Sequence, residues 1–205
     1  MAKFKLPEKL EGIKITTPKG RLSFPHLFEP TKYKEDSKAQ YNCTILFPKN
    51  EDLSKLKTAM GLAQEQAFGK DKKNWPKNIN LPWRDGDDKD DYEGYAGNYY
   101  LSAKTFNRPP VIDRQKQKIE DAEEIYGGCY GRLALVIKVT ESGGKYYVTC
   151  YLQGVQKLSD GEKFGGGGLD VDSAFDDIDD EENDDLSSNK TSDDDSDEET
   201  DSMGF

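Results

Sequence analysis

Two neighbouring stretches near the end of the chain's body alternate apolar and polar residues with period two. In Tyr130–Val139 one parity carries Leu133, Leu135, Ile137 and Val139, and the other carries Tyr130, Arg132, Ala134, Val136 and Lys138. In Lys145–Gln153 the apolar parity is Tyr146, Val148, Cys150 and Leu152, and Lys145, Tyr147, Thr149 and Tyr151 take the other. Side chains alternate across a strand, so each run predicts a strand with one face in a core. The Glu-Ser-Gly-Gly between them predicts a hairpin turn.

The same period marks AQYNCTILFP, with Tyr41, Cys43, Ile45 and Phe47 opposed to Asn42, Thr44 and Leu46. It returns in NYYLSAKTF, where Tyr100, Ser102, Lys104 and Phe106 oppose Tyr99, Leu101, Ala103 and Thr105. GIKITTPKGRLSFPHLFEP predicts a strand, a Pro-Lys-Gly turn and a second extended piece stopped by Pro25 and Pro30. The period changes after Asn50. Leu53, Leu56, Met60, Ala63, Ala67 and Phe68 recur at helical spacing, with Asn50 as N-cap, Glu51 and Asp52 in the first turn and Gly69 as the stop. Residues 70–97 keep no period and are rich in turn formers, which predicts an irregular excursion. IEDAEEIYGG predicts at most a short helix or turn. The expected fold is therefore mainly β with one or two helices, an OB-fold-like five-stranded antiparallel barrel. A β-sandwich would need more strands than the pattern supplies.

Charge divides the chain. The net charge is −11, but residues 170–205 hold 17 Asp/Glu and one Lys, or −16, which leaves 28 basic and 23 acidic residues, or +5, in residues 1–169. A mildly basic body joined to a strongly acidic tail points to nucleic acid or another charged partner. We expect a body over 1–164, a glycine hinge over 165–169 and a disordered acidic tail over 170–205. No apolar run approaches the length of a transmembrane helix, and MAKFKLPEKLEG lacks the apolar region of a signal peptide, so the expected location is the cytoplasm. Cys43, Cys129 and Cys150 are odd in number and widely spaced, which predicts small buried hydrophobes and neither a disulfide framework nor a zinc site.

The parity of the strands also sorts the candidate chemistry. Tyr100, Lys104 and Phe106, then Tyr130, Arg132 and Lys138, then Lys145, Tyr147 and Tyr151 fall on outward faces, with Arg108 and Arg114 in the following loop. Rings interleaved with cations are what a single-strand binder needs: rings stack on unpaired bases and cations follow phosphates. The structural alternative is that these rings fill cross-strand surface or a second core face beneath the 70–97 excursion. Trp75 and Trp83 in that excursion could cover DNA, pack as a lid or mediate self-association. RDGDDKDDYEG fails the EF-hand spacing, because Lys89 stands at its fifth position and Asp90 at its sixth. The single histidine, His26 in FPHLF, suits packing or stacking better than base catalysis, and the glycine run precedes no phosphate-loop Lys. A catalytic role, a metal and a cofactor are not expected. The competing class is a protein-interaction module whose acidic tail mimics DNA to bind a basic partner. A solvating tail has no use for the terminal Phe205, so Phe205 with Asp201, Glu199 and Glu198 is the expected partner-binding tip.

GNYYLSAKTFNRPPVID, EIYGGCYGRLALVIKV and YLQGVQKL together resemble the OB-fold single-stranded DNA-binding proteins of tailed bacteriophages, and the aromatic-ended acidic tail is similar to those of phage and bacterial single-strand binders. The resemblance covers roughly residues 5–160. It implies a replication, recombination and repair accessory protein that coats single strands within the bacterial host cell. Through its tail such a protein would recruit phage DNA polymerase, helicase–primase or recombination proteins, and it could form a homodimer. The positions matched by motif are Tyr100, Lys104, Arg108, Arg114, Tyr130 and Arg132.

Overall fold

Gly143 and Gly144 both take positive φ (58° and 75°), the backbone of a tight hairpin turn whose twist suits the strands it joins. They connect β8 (Tyr130–Ser142) to β9 (Lys145–Ser159), the longest antiparallel pair of the fold. This is a computed structural model, and it describes residues 5–89 and 91–165. The expected hinge, acidic tail and tip (Phe205, Asp201, Glu199, Glu198) lie outside the described residues, except Gly165.

The preceding strands are β1 (Ile13–Thr16), β2 (Gly20–Thr31), β3 (Gln40–Pro48), β4 (Ile79–Asn80), β5 (Trp83–Asp85), β6 (Asn98–Thr105) and β7 (Val111–Ile112), with the helix α1 (Ser54–Phe68) after β3. Five strands close a ring: β2 pairs β3, β3 pairs β6, β6 pairs β9, β9 pairs β8, and β8 returns to β2. This is the five-stranded barrel of the OB-fold. One pair in the ring, β6 with β9, is parallel, with Lys104 opposite Tyr151. An odd number of strands cannot alternate in direction all the way round a closed ring, so one parallel pair is forced. The expectation of an antiparallel barrel is corrected to that extent.

Alternation and burial agree along β8 and β9. Leu133, Leu135, Ile137, Val139, Val148, Cys150 and Leu152 fill the barrel together with Cys43, Ile45, Phe47 and Leu101. The register slips between Ala134 and Leu135 because Gln153 is an extra residue on β9. That bulge reverses the parity, so Val155 faces inward three residues after Leu152. Thr17 bridges the gap between β1 and β2 along the edge of β8. Its amide donates to the Leu133 carbonyl, and its hydroxyl accepts the Leu133 amide at 3.0 Å.

Three expectations change in detail. β2 runs through both prolines, because Pro25 lies at a bulge between Ser23 and His26 and Pro30 at a second irregularity before Thr31, where a missing N–H breaks no regular ladder. The helix begins at Ser54: the chain first turns at Pro48–Glu51, and the Asp52 carboxylate accepts the Ser54 amide at 2.9 Å, so neither acidic residue enters the first helical turn. Residues 70–97 hold two short strands, with the Trp83 ring tilted against Tyr99 at 4.7 Å and stacked over Phe47 at 6.5 Å, and the Trp75 indole N–H donating to the Gly69 carbonyl. Both indoles pack on the barrel. The stretch 119–128 forms turns only.

All three cysteines are buried free thiols, and burial raises their pKa, that of Cys150 to about 12. A thiol kept protonated and covered is a poor nucleophile. Ellman's reagent at pH 8 should label none of the three in the native protein and all three in guanidinium chloride.

Candidate nucleic-acid interface

In an OB barrel, the outer face of the second and third strands and the loops joining strands one to two and four to five receive oligonucleotides. Here these are β3, β6, residues 32–39 and the Gly143–Gly144 turn. On that outer face the register places His26 beside Asn42 and Asn42 beside Lys104, with Tyr151 of β9 on the far side of Lys104. One step along, the Thr44 and Ser102 hydroxyls bond at 2.9 Å, so that row carries short polar side chains.

The patch continues onto β9 and β8. Tyr147, Thr149 and Tyr151 point outward, opposite Thr140, Lys138 and Val136. Lys138 is therefore diagonal to both tyrosines, within reach across the strand pair. Lys145 stands at the hairpin end. Phe106, 59% exposed, and Arg108 follow Lys104 out of β6. The Arg108 guanidinium lies 5.1 Å from the Phe28 ring centre, and both line a cavity of about 280 Å³ with Pro109, Pro110, Val111, Lys118 and Ile119. A lining that combines apolar side chains with two cations can take a planar ring and an anionic group together.

Lys104, Phe106, Arg108, Lys138, Lys145, Tyr147 and Tyr151 thus share one tract of the barrel surface. Arg114 is exposed in the turn after β7, and the carbonyl of its neighbour Asp113 accepts the Gln156 amide. Three of the sequence-predicted residues are placed otherwise. Tyr100 has the expected outward parity but is only 8% exposed: Leu46, Tyr95 and Phe164 pack with it into a second, outer cluster. It is not available for stacking in this structure, and the alternative of a second core face holds at that position. Arg132 faces outward, but its guanidinium donates to Gln156 at 3.1 Å, and its Nε is buried with no hydrogen-bond partner, so it is not a freely presented phosphate ligand. Tyr130 lies under Lys19, whose Nζ is 4.3 Å from the ring centre, and against Gly161.

The lid over Tyr100 is fastened at several points. Lys49 forms ion pairs with Asp85 and Asp87, which raises the lysine pKa, and its hydrogen bonds hold both carboxylates below the usual range. Phe164 fills the space beside Gly94, where a Cβ would collide with its ring, and the Arg21 guanidinium stacks on the same ring at 4.2 Å. The Gly165 amide donates to Glu93. Phe164 and Gly165 are the last described residues before the acidic tail, so the chain leaves the body beside the outer face of β3 and β6.

Several exposed groups on this side lie where strand parity gives no signal. Tyr33, 91% exposed, stands among Lys32, Lys34 and Lys38 in the loop between the first two barrel strands. Phe24 and Tyr92 are also uncovered. The available signal was the loop position of an aromatic between lysines, which strand parity does not capture.

A closed five-stranded OB barrel with rings and cations on its outer face defines an oligonucleotide-binding class of protein. Comparison with known proteins agrees. Residues 13–187 match the family model described as Enterobacter phage Enc34, ssDNA-binding protein. The chain belongs to this phage single-stranded DNA-binding protein family. A relative called putative protein p50, from Acyrthosiphon pisum secondary endosymbiont phage 1, is 36% identical over 175 residues, covering 81% of this chain and 94% of its own. The bacteriophage Enc34 single-stranded DNA-binding protein in complex with ssDNA superposes with a TM-score of 0.65 at 25% identity, over 80% of this chain and all of that one. The fold is shared as well by gp2.5 of bacteriophage T7, with a TM-score of 0.55 at 16% identity, over 80% of this chain and 96% of the T7 protein.

Proposed function

We propose that this protein binds single-stranded DNA along the outer tract of β6, β9 and β8 and serves DNA replication, recombination and repair of a phage as a non-catalytic coat for exposed strands. The observation that carries this reading is the contiguity of Lys104, Tyr151, Tyr147 and Lys138 on one barrel face, continued by Phe106 and Arg108. Bases stack on the tyrosines while the lysines and Arg108 track the phosphates. Among the described residues no helix is long and apolar enough to cross a membrane. The site of action is the host cell during infection.

The acidic tail has a second task in this proposal. Phe205 supplies a ring, and Glu198, Glu199 and Asp201 steer it toward a basic pocket on a polymerase, helicase–primase or recombination enzyme. Homodimerisation remains part of the proposal. The test is fluorescence titration of the full chain with dT oligomers and with a duplex of equal length, at several salt concentrations. Binding to dT that outlasts the duplex as salt rises supports the reading, because stacking is less screened than phosphate contacts. Absence of dT binding at low salt sinks it and leaves the DNA-mimicking interaction module in its place.

A further inference from the structure

Phe24 carries a backbone φ of +45° within β2, a value that bulky residues rarely adopt. Pro25 follows it, and a residue before proline is pushed toward extended backbone, which narrows the choice further. Such strain usually persists where packing of the side chain compensates for it. Here 47% of the Phe24 surface is uncovered, so burial supplies little compensation. Strain held in place around an exposed ring marks a position shaped by something other than the core.

The partner ring is exposed to a similar degree. Tyr92, 42% exposed, meets Phe24 edge to face, with centres 5.5 Å apart and planes at 85°. Tyr92 is the outermost member of a row of rings: it lies 5.5 Å from Tyr95, which lies 5.2 Å from buried Tyr100. The Tyr95 hydroxyl bonds Ser23, the residue before Phe24, at 3.2 Å. Both exposed rings are therefore positioned by one buried cluster. Lys89 places its Nζ 4.9 Å from the Tyr92 ring centre. On the other side of Phe24, the bulge leads to His26, opposite Asn42 in the row that holds Lys104.

We propose that Phe24 and Tyr92 form a further stacking site for an unpaired nucleobase, with Lys89 receiving an adjoining phosphate. Two perpendicular rings make a corner in which a base lies flat on one and meets the edge of the other. The site extends the DNA path from the Lys104–Tyr151 row past His26 and onto β2. It rests on the DNA-binding reading above, and it assigns residues that strand parity could not reach. The bulge at Ser23–Pro25 that accommodates the proline also leaves the Phe24 ring half exposed.

The test uses the full chain with substitutions Phe24→Ala, Phe24→Gly, Phe24→Trp and Tyr92→Ala, with Lys104→Ala/Tyr151→Ala as reference. Phe24→Ala and Tyr92→Ala should each weaken dT binding about fivefold to a hundredfold for oligomers long enough to span both sites. Phe24→Trp should retain binding. Phe24→Gly should weaken binding to the same degree yet leave the melting temperature unchanged or raised, because glycine takes positive φ without strain. A structural Phe24 would lower the melting temperature instead, and that result overturns the proposal. So does unchanged dT affinity in the Phe24 and Tyr92 variants while the reference variant is weakened, which leaves the DNA-binding reading intact. If the reference variant also binds normally, the reading itself fails. A change in oligomeric state with DNA binding intact would assign the rings to an interface between copies and likewise overturn the base-stacking site.

Discussion

Replacing Lys104 and Tyr151 together by alanine should weaken dT binding about a hundredfold at moderate salt. The two side chains stand opposite each other where the parallel strands meet, so they serve the same stretch of DNA. A stacked ring is worth about 1–3 kcal/mol per base, and the lysine adds one phosphate contact. The singles should separate by salt: Lys104→Ala lowers the slope of log K against log salt by about 0.7, as expected for one contact on a single strand. Tyr151→Ala should weaken binding with the slope unchanged, since a neutral ring releases no counterion. Neither side chain belongs to the barrel core, so melting curves should stay close to that of the parent. Isothermal titration at three salt concentrations checks all three variants.

Removing residues 170–205 should tighten dT binding about tenfold or more at low salt. The segment carries −16 against a body of +5, and the chain leaves that body beside the proposed DNA face, after Phe164 and Gly165. A tethered competitor acts at an effective concentration on the order of millimolar, so even a tail–body affinity of roughly 0.1 mM occupies the face most of the time. Screening shortens the range of both contacts, and at high salt the full and shortened chains should converge. Deleting Phe205 alone removes no acidic side chain and should leave DNA affinity nearly unchanged, while pull-downs of replication proteins should lose their signal. Equal affinities of the full and shortened chains at low salt would deny the tail this competing role.

The strands were legible because the barrel wall has one wet and one dry face. Leu133, Leu135, Ile137 and Val139 announce β8 by themselves, and the matched alternation of β9 beside the Glu-Ser-Gly-Gly turn gives the hairpin. What strand parity cannot show is which parts of the wet face are later covered. Tyr100 has the right parity, yet a segment before it and Phe164 far after it close over the ring. Arg132 likewise points outward, but the Gln153 bulge sets the register that brings Gln156 opposite its guanidinium. The parallel β6–β9 pair was in principle legible from the count of five strands. The path of β2 through Pro25 was not, because a bulge is a tertiary solution to a missing N–H, and local pattern reads the proline as a stop.

In the proposed complex DNA lies on the outer tract running from Lys138 and Tyr147 through Tyr151 and Lys104 toward Phe106 and Arg108. Photo-crosslinking of the full chain to a 5-bromodeoxyuridine-substituted oligomer, with adducts located by mass spectrometry, maps that contact directly. Adducts concentrated at Tyr147, Tyr151 and Phe106, and lost in excess unmodified dT, are the predicted result. Adducts concentrated instead on the exposed side of the helix Ser54–Phe68 or along Ile13–Thr16, with those three rings unmodified, would contradict it.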